Sequence, residues 1–401
     1  MVKILRGPYF LEINSAEDLQ RRFRKIGCDS LGSKIMSKKS RVLPLLLKEV
    51  KSPAANILKQ QMLSLGGEAV VARGVIDCSL EDSDVLLLGT RREYEFLGET
   101  LFHQPWGLKA LGERIKSLLG HLAAPECVSW EWPGKELTLG SRVLVMGILN
   151  VTPDSFSDGG NYIEPEMALE HAQKMVEEGA DLIDLGGEST RPGGIPVSSA
   201  EELKRVIPVL EKLLPELKVP LSLDTYKAEV AAEALSMGVQ IINDVGGGVR
   251  DPRMAQVVAQ HQAPVIIMHN AEIGRDHDLI PELIDSLAEQ IKIYEDAGLA
   301  GEKIVLDPGV GFGKDYGQNL EIIKNLKSLD ILGKPVLLGV SRKSFIGQTI
   351  GLPVAERLGG SLAAAAWGVI NNVDIIRVHD VRETVSLVKV LEAIKTEGGQ
   401  M

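Results

Sequence analysis

From residue 143 onward, short apolar runs rich in Val, Ile and Leu alternate with stretches whose apolar residues recur at helical spacing. Eight such runs occur: VLVMGILN (143–150), DLIDLGG (181–187), LSLDT (221–225), QIINDV (240–245), APVIIMHN (263–270), KIVLDPG (303–309), PVLLGVS (335–341) and IIRVHD (375–380). Nearly continuous apolar strands that alternate with helices are typical of parallel strands covered on both faces. Eight units in roughly 260 residues therefore predict a (β/α)8 barrel, with a doubly wound open sheet as the alternative.

Polar residues stand where these apolar runs end. They are Asn150, Glu188, Asp224, Asn243 with Asp244, His269, Asp307, Ser341 to Lys343, and Arg377 with His379. The carboxyl ends of all eight strands of such a barrel open on one face, and this face holds the active site. A single Asp, Asn or Ser can instead cap the following helix, but Lys343, Arg377 and His379 are poor caps. The recurring set therefore predicts a ligand site on one rim of the barrel.

Residues 1–130 carry a different and weaker pattern. Two strands and one helix are predicted, at EAVVARG (68–74), DVLLLGT (84–90) and LGERIKSLLGHLA (111–123). They indicate a small α/β accessory domain over residues 1–130, followed by a linker near residues 124–139 and a barrel domain over residues 138–401. No catalytic constellation is visible before the barrel, so the role of this first part is left open.

The composition of the chain limits the binding partners and the cellular compartment that we expect for the protein. The net charge of −11 argues against a nucleic-acid groove, which needs a basic surface, but a few local cations can still bind a small anion. No apolar run is long enough for a membrane span, and the first residues lack the apolar core of a secretory signal. The three cysteines are odd in number and far apart, which indicates no disulfide framework. We therefore expect a cytoplasmic protein without a membrane or nucleic-acid partner.

Three glycine-rich segments follow predicted strands and carry hydrogen-bonding side chains. They are GGESTRPGG (186–194), DPGVGFGK (307–314) and SRKSFIG (341–347). Such loops let the backbone approach a ligand, and their donors suit an anion or a flat polar ring. The loops after strands seven and eight of these barrels often hold phosphate. Arg377 and His379 are two residues apart on a strand, so both face the same side and suit a pyrophosphate.

Taken together, these segments resemble the dihydropteroate synthases over about residues 141–390. The match runs, in the order of the family, through VMGILNVTPDSFSDGG, GESTRPGG, LSLDT, IINDVGGG, LDPGVGFGK, GVSRKSFIG and RVHDV. The resemblance implies a (β/α)8 barrel that condenses 7,8-dihydropterin-6-ylmethyl diphosphate with p-aminobenzoate. The implied products are 7,8-dihydropteroate and pyrophosphate, in folate biosynthesis, with Mg2+ as cofactor. A homodimer formed through barrel helices and competition by sulfonamides are also implied.

The resemblance assigns a role to each matching residue. The pterin slot and the catalytic groups are implied to be Asp224, Asn243, Asp307 and Lys343. The pyrophosphate is implied to bind Asn150, which also holds Mg2+, and Arg377, His379, Thr190 and Arg191. The p-aminobenzoate pocket is implied to be Ser189, Thr190, Arg191, Pro192, Phe312 and Ser344. The loops at 151–160, with Asp154, and at 187–195 are implied to close over the site.

One loop departs from the family, and two other functions compete. After strand five the family reads MHMxGxPxxMQ, whereas residues 268–276 read MHNAEIGRD, so the contribution of this loop is open. The main alternative is a pterin-binding methyltransferase that passes a methyl group from methyltetrahydrofolate to a corrinoid protein. That enzyme also needs an Asp and an Asn for the pterin, but it does not need GESTRPGG, SRKS and RVHD together. The third reading is a binding protein that has kept the fold without catalysis.

Overall fold

The computed structural model describes residues 16–122, 127–151, 165–188, 196–274 and 278–395. The chain divides into two compact units, Met1–Ala123 and Ala124–Met401, which we call the N-terminal unit and the barrel unit. In the ranges that the structure describes, no helix is long and apolar enough to cross a membrane.

The N-terminal unit is built on a three-stranded antiparallel sheet of order β1-β3-β2. Its elements are α1 (Ala16–Ile26), α2 (Ser30–Ser37), β1 (Val42–Lys51), α3 (Ser52–Leu65), β2 (Glu68–Val71), β3 (Asp82–Thr90), α4 (Arg91–Thr100) and α5 (Leu108–His121), with short 3-10 helices at Arg73–Val75 and Leu101–His103. The predicted strands and helix correspond to β2, β3 and α5. The second half of the predicted strand 68–74 is instead the first of the two 3-10 helices.

One face of this sheet packs against helices. Along β3, Val85 and Leu87 are buried and alternate with less buried neighbours, as expected for a strand with one covered face. These side chains meet Leu58 of α3, Leu97 of α4 and Ile115 of α5 in one hydrophobic cluster. Burial of aliphatic surface therefore holds this unit together.

Residues 128–139 form a β-hairpin, so the prediction of a linker over this stretch was wrong. Its strands, β4 (Val128–Trp132) and β5 (Lys135–Leu139), join at a tight turn that places Gly134 at a φ of 73°. Trp130 donates from Nε1 to the carbonyl oxygen of Glu302 at 3.1 Å. The hairpin packs against inward side chains near the amino ends of the barrel strands: Leu144, Met146, Leu182, Ile241, Ile266, Val305, Leu337 and Ile375. It therefore closes this end of the barrel.

The barrel unit continues with eight parallel strands, each followed by at least one helix. The elements are β6 (Leu144–Asn150), α6 (Pro165–Glu177), β7 (Leu182–Gly186), α7 (Ser199–Glu216), β8 (Leu221–Asp224), α8 (Ala228–Met237), β9 (Ile241–Asp244), α9 (Met254–His261), β10 (Val265–Met268), α10 (Leu279–Asp296), β11 (Ile304–Asp307), α11 (Tyr316–Lys324), β12 (Leu337–Gly339), α12 (Ser344–Ile350), α13 (Leu358–Ile370), β13 (Ile375–Val378) and α14 (Val381–Lys395), with short 3-10 helices at Gly301–Lys303, Leu326–Leu332 and Val354–Glu356. Each strand lies within one of the eight predicted apolar runs.

The sheet of this unit closes on itself. The strand order is β11-β10-β9-β8-β7-β6-β13-β12, and a parallel bridge between Leu306 and Val336 joins the two outer strands. The predicted (β/α)8 barrel is therefore confirmed, and the open-sheet alternative is excluded.

Side chains two residues apart on a strand share a face, which identifies the groups that point into the barrel. Leu182, Ile241 and Val305 belong to the cluster inside the barrel, so the residues two positions later face inward as well. The polar members of this inward set are Asp184, Ser222, Asp224, Asn243, Asp307 and Arg377. The interior is thus apolar near the hairpin and polar toward the carboxyl ends of the strands.

Candidate active site at the carboxyl ends of the barrel strands

Arg377 connects two buried carboxylates across the barrel interior. Its Nε donates to Oδ2 of Asp184 at 2.6 Å, and its Nη2 donates to Oδ2 of Asp224 at 2.9 Å. Asn243, the neighbour of Asp224 in the sheet register, donates from Nδ2 to the same Oδ2 of Asp184 at 3.0 Å. The structure therefore brings together three predicted site residues and Asp184, which the sequence analysis missed.

Two predicted pterin ligands have acceptor atoms with no partner. Oδ1 of Asp224 and Oδ1 of Asn243 are buried and accept no hydrogen bond from the part of the chain that the structure describes. A buried polar atom without a partner costs about 1–3 kcal/mol, so such atoms usually receive a ligand or water. A flat ring that presents N–H groups would satisfy both acceptors.

Asp307 and Lys343 face each other across a space kept open by a glycine. Oδ1 of Asp307 accepts from the backbone N–H of Gly309 at 2.7 Å, and the amine of Lys343 donates to the carbonyl oxygen of Val310. A Cβ atom at Gly339 would lie 3.8 Å from Nζ of Lys343 and 3.9 Å from Oδ2 of Asp307. The absence of a side chain at this position therefore leaves room beside both charged groups.

Burial moves the pKa values of Asp224, Asp307 and Lys343 toward neutral pH. Burial raises the pKa of Asp224 to about 8, although the Arg377 guanidinium opposes the shift. Burial also raises the pKa of Asp307, against the effect of the Lys343 ammonium, and lowers the pKa of Lys343 to about 8, against the effect of the Asp307 carboxylate. Clustered groups whose pKa values are displaced by desolvation are typical of functional sites.

Phe312 lies beside Lys343, which links the two predicted subsites. Nζ of Lys343 stands 4.5 Å from the centroid of the Phe312 ring, within the range of a cation–π contact. Ser344 is exposed and begins α12, directly after Lys343. The aromatic ring, the amine and the serine thus line one side of the rim.

The loops after the last two strands are tied to each other. Oγ of Ser341 lies 3.0 Å from Nδ1 of His379 and accepts from the backbone N–H of His379 at 3.2 Å. Arg342 donates from Nε to the Asp380 carboxylate at 2.9 Å. These contacts fix His379 on the same rim as Lys343.

Asn150 is the remaining predicted site residue that lies in the described part of the chain. Asn150 ends β6 opposite Gly186, where a Cβ atom would lie 3.2 Å from Oδ1 of Asn150. This half-buried amide oxygen therefore lies on the rim near Asp224. Ser189, Thr190, Arg191, Pro192 and Asp154 lie outside the described residues.

The altered loop after β10 is held by a lysine that the sequence analysis did not assign to the site. Lys314 lies 2.8 Å from Nδ1 of His269 and donates to the carbonyl oxygens of His269, at 3.0 Å, and Phe312, at 2.9 Å. Burial, with the Lys314 cation adding to it, lowers the pKa of His269 to about 4. The sequence signals that could have indicated this contact are a lysine after β11 and a histidine after its neighbour β10. Their contact orders the segment that carries Phe312.

Glu188 takes part in a buried ion cluster rather than facing the interior with the other polar strand ends. Lys227 donates to both Glu188 and Glu202, and the Tyr226 hydroxyl donates to Glu188 at 3.3 Å. Glu202 lies in α7 and Lys227 lies directly before α8, positions at which the sequence alone suggests a solvated charge. This cluster anchors the end of β7.

The fold and these contacts define a (β/α)8 barrel whose strands present buried carboxylates, an amide and two cations at their carboxyl ends. Such a set can bind a polar ring that donates N–H groups beside an anionic group. The sequence profile described as "Pterin binding enzyme" matches residues 146–379, and the chain belongs to this family.

Three relatives illustrate the similarity. The dihydropteroate synthase of Bacillus subtilis is 49% identical over 263 residues, which cover 66% of this chain and 92% of that protein. A crystal structure of dihydropteroate synthase from Clostridium difficile, determined in the presence of pteroic acid, is 50% identical, with a TM-score of 0.62 over 64% of this chain and 98% of that one.

The third relative extends the match beyond the barrel. A probable bifunctional folylpolyglutamate synthase/dihydropteroate synthase of Halobacterium salinarum is 42% identical over 354 residues, which cover 86% of this chain and 42% of that protein. Because 86% of the chain exceeds the length of the barrel unit, the match includes part of the N-terminal unit.

Proposed function

We propose that this chain is a dihydropteroate synthase, which joins 7,8-dihydropterin-6-ylmethyl diphosphate to p-aminobenzoate and yields 7,8-dihydropteroate and pyrophosphate for folate biosynthesis. One observation carries the proposal. In a barrel of the pterin-binding family, Asp224 and Asn243 have buried acceptors that no described residue pairs, near Asp307 and Lys343.

The pterin ring would lie among these four side chains. Asp224, Asn243 and Asp307 offer oxygen acceptors to the amino and ring N–H groups, and a charged acceptor makes the stronger hydrogen bond. Lys343 offers the donor that the ring carbonyl needs. A pKa of about 8 leaves Asp224 mostly protonated in the empty slot at pH 7, and hydrogen bonds from ring N–H groups would favour its carboxylate form.

The reaction then needs positioning and charge stabilisation more than a strong base. The C–O bond between the pterin methylene and the diphosphate breaks, and its electron pair leaves with pyrophosphate. The remaining cation is spread over the ring, where the Asp224 carboxylate stabilises it. The lone pair of the aryl amine forms the new C–N bond, and the ammonium proton passes to solvent. The amine is already neutral at pH 7, so the site needs no Ser-His-Asp arrangement.

Asn150, Arg377 and His379 form the proposed pyrophosphate subsite, with Thr190 and Arg191. Nε and Nη2 of Arg377 already bind carboxylates, which leaves Nη1 for the anion. The amide oxygen of Asn150 is a hard ligand that fits Mg2+, and substrate phosphates usually supply further ligands. Among the described residues no cluster of three or more His, Cys, Asp or Glu could hold a metal. Bound Mg2+ would neutralise charge on the leaving group.

The p-aminobenzoate pocket is proposed at Phe312 and Ser344, with Ser189 to Pro192. The Phe312 ring supplies an aromatic surface beside Lys343 for a second flat ring. As a consequence we expect sulfonamides, which share the aryl amine, to compete with p-aminobenzoate in a steady-state assay. An inhibition pattern that p-aminobenzoate does not relieve would count against this pocket.

We also propose a homodimer that forms through barrel helices. Exposed apolar side chains gather on and next to α11, α12 and α13: Tyr316, Leu320, Ile350, Leu352, Trp367 and Ile370. A patch of this kind favours burial against a second copy. The free thiols of Cys28, Cys78 and Cys127 support a reducing cytoplasm. The division into an accessory domain over 1–130 and a catalytic domain over 138–401 remains a prediction.

The test of the proposed function is pyrophosphate release by the purified chain. We expect release only when Mg2+, the dihydropterin diphosphate and p-aminobenzoate are all present, with 7,8-dihydropteroate formed in equal amount. Omitting each component in turn provides the controls. No product with all three present would refute the proposal, and methyl transfer from methyltetrahydrofolate to a corrinoid protein would favour the alternative.

A further inference from the structure

Asp184 lies in the polar interior, where its Oδ2 is bound and its Oδ1 has no partner among the described residues. It is fully buried on β7, and its register neighbour on β8 is Ser222. Its Oδ2 accepts two hydrogen bonds, from Nδ2 of Asn243 at 3.0 Å and from Nε of Arg377 at 2.6 Å. A single carboxylate oxygen therefore orients two residues of the proposed site.

The contact with Asn243 fixes which end of the amide faces the ligand. A carboxylate paired with a guanidinium has only acceptors, so the Asn243 amide must turn its NH2 group toward Asp184. Its Oδ1 then points away and is buried without a partner among the described residues. Without Asp184 the amide could rotate by half a turn and present a donor instead.

The contact with Arg377 fixes the guanidinium in the same way. Asp184 and Asp224 hold its Nε and Nη2 edges, and the planar group loses its freedom to rotate between them. The same plane keeps Nη1 available on the side away from the two carboxylates. Both effects depend on one oxygen of Asp184.

We propose that Asp184 is a positioning residue that makes the slot specific for a ring with an N–H donor at Asn243. This inference rests on the proposed function. Asp184 acts through its contacts with Asn243 and Arg377. It forces an acceptor toward the ligand and holds the arginine beside the leaving anion. A ring that presents a lone pair at the same place would meet the unpaired Oδ1 of Asn243 and be rejected.

An exchange of the two side chains separates this role from simple packing. Asp184→Asn weakens the acceptor that orients Asn243 by removing its charge, and Asn243→Asp sets two carboxylates against each other. In the double variant, the new amide at position 184 donates to the new carboxylate at position 243, which keeps a second oxygen for the ligand. The contact that orients residue 243 and its free acceptor are thus restored, whereas the hydrogen bond from Nε of Arg377 to position 184 is lost, so the rescue is partial.

The measurement is a calorimetric titration of the dihydropterin diphosphate, with Mg2+, into the full-length chain. We expect each single variant to bind about tenfold or more weakly, from the loss of a charge-assisted hydrogen bond. The double variant should bind more tightly than either single variant. Ser222→Ala, which changes a neighbouring buried polar side chain, should stay within about twofold of the wild type.

If the losses of affinity in the two single variants add up in the double variant, the positioning role is refuted. A side chain that only supports the fold would give no rescue when the second substitution is added. If Asp184→Asn does not fold, the comparison of Asn243→Asp with the double variant decides the question alone. Wild-type chain that binds no dihydropterin diphosphate would instead refute the proposed function, and this outcome appears before any variant is compared.

Discussion

The two units bury different kinds of side chain. Among described residues, and apart from the Tyr94 hydroxyl, the buried polar side chains of the N-terminal unit are two serines, Ser33 and Ser52. In its described ranges the barrel unit buries, besides Tyr294, eight ionisable side chains: Asp184, Glu188, Glu202, Asp224, Lys227, Asp244, His269 and Asp307. Desolvating a charge is costly, so a core that serves only stability avoids it. The barrel unit accepts this cost inside and at the ends of its strands and in the ion cluster of Glu188, Glu202 and Lys227.

Buried charges inside the barrel unit are themselves of two kinds. Asp244 is satisfied within the protein, because it accepts from the Tyr294 hydroxyl at 2.6 Å and from the backbone N–H of Gly246 at 2.8 Å. Oδ1 of Asp224 and Oδ1 of Asn243 accept no hydrogen bond from the described residues, but neither do Oδ1 of Asp184 and Oε1 of Glu202. Unpaired buried acceptors therefore support a ligand site only where several lie together at the carboxyl ends of the strands.

The largest expected effect is the loss of pterin binding in Lys343→Ala and Asp307→Asn. Each variant removes one of the two opposite charges that lie beside Gly339, and with it a charged hydrogen-bond partner of the ring worth about 1.5–3 kcal/mol. We expect the affinity for the dihydropterin diphosphate to fall about 100-fold or more, in a calorimetric titration. Circular dichroism should show that the fold is intact. Wild-type affinity in either variant would refute the assignment of the slot.

The second prediction compares matched cavities in the two units. Leu58→Ala in the N-terminal unit and Leu210→Ala in the barrel unit each remove a fully buried leucine side chain. Each should lower the free energy of unfolding of its unit by about 2–5 kcal/mol in urea. Leu58→Ala should leave pterin affinity unchanged. A loss of affinity there would show that the N-terminal unit acts on the site.

The third prediction concerns acid sensitivity from His269. Its pKa is about 4 in the folded chain, below the ordinary 6.5, because of burial and then Lys314. Between these values the unfolded chain binds a proton that the folded chain does not, so stability falls as pH falls. From pH 6.5 to 5, the wild type should lose up to about 2 kcal/mol more than His269→Gln does.

Urea unfolding at both pH values measures this difference. Leu58→Ala removes no titrating group and should keep the wild-type pH dependence. Equal slopes for His269→Gln and the wild type would show that His269 is not held neutral by its surroundings.

The smallest effect is expected from Tyr94→Phe in the N-terminal core. The buried hydroxyl lies 2.6 Å from the carbonyl oxygen of Leu43 and 2.9 Å from that of Leu87. Its removal should lower the free energy of unfolding by about 1–2 kcal/mol, visible as a lower melting temperature. Catalysis should not change. An unchanged melting temperature would mean that this hydroxyl contributes no net stability.

The barrel could be predicted because its strands are continuous apolar runs that end in polar residues. The N-terminal unit was harder to predict. Its first strand, β1, contains Pro44, which argues against a strand, but β1 lies at the edge of the sheet, where a proline is tolerated. The hairpin at 128–139 was taken for a linker, although Pro133-Gly134 between two short alternating segments is also a turn signal.

Within the site, sequence reasoning recovered strand-end residues and missed their supports. Asp184 stands inside an apolar run rather than at its end, so its position carried no signal of a rim residue. The Lys314 contact with His269 joins residues 45 positions apart in the chain. Only the closed barrel brings such pairs together, and no local pattern encodes them.

The most direct test of this contrast is the rate of 7,8-dihydropteroate formation by full-length chains with one substitution in each core. Asp307→Asn should lose about 100-fold or more in kcat/KM, and Tyr94→Phe should stay within about twofold of the wild type. Similar rates for Asp307→Asn and the wild type, or a loss as large in Tyr94→Phe, would contradict the conclusion that the chemistry resides in the buried charges of the barrel.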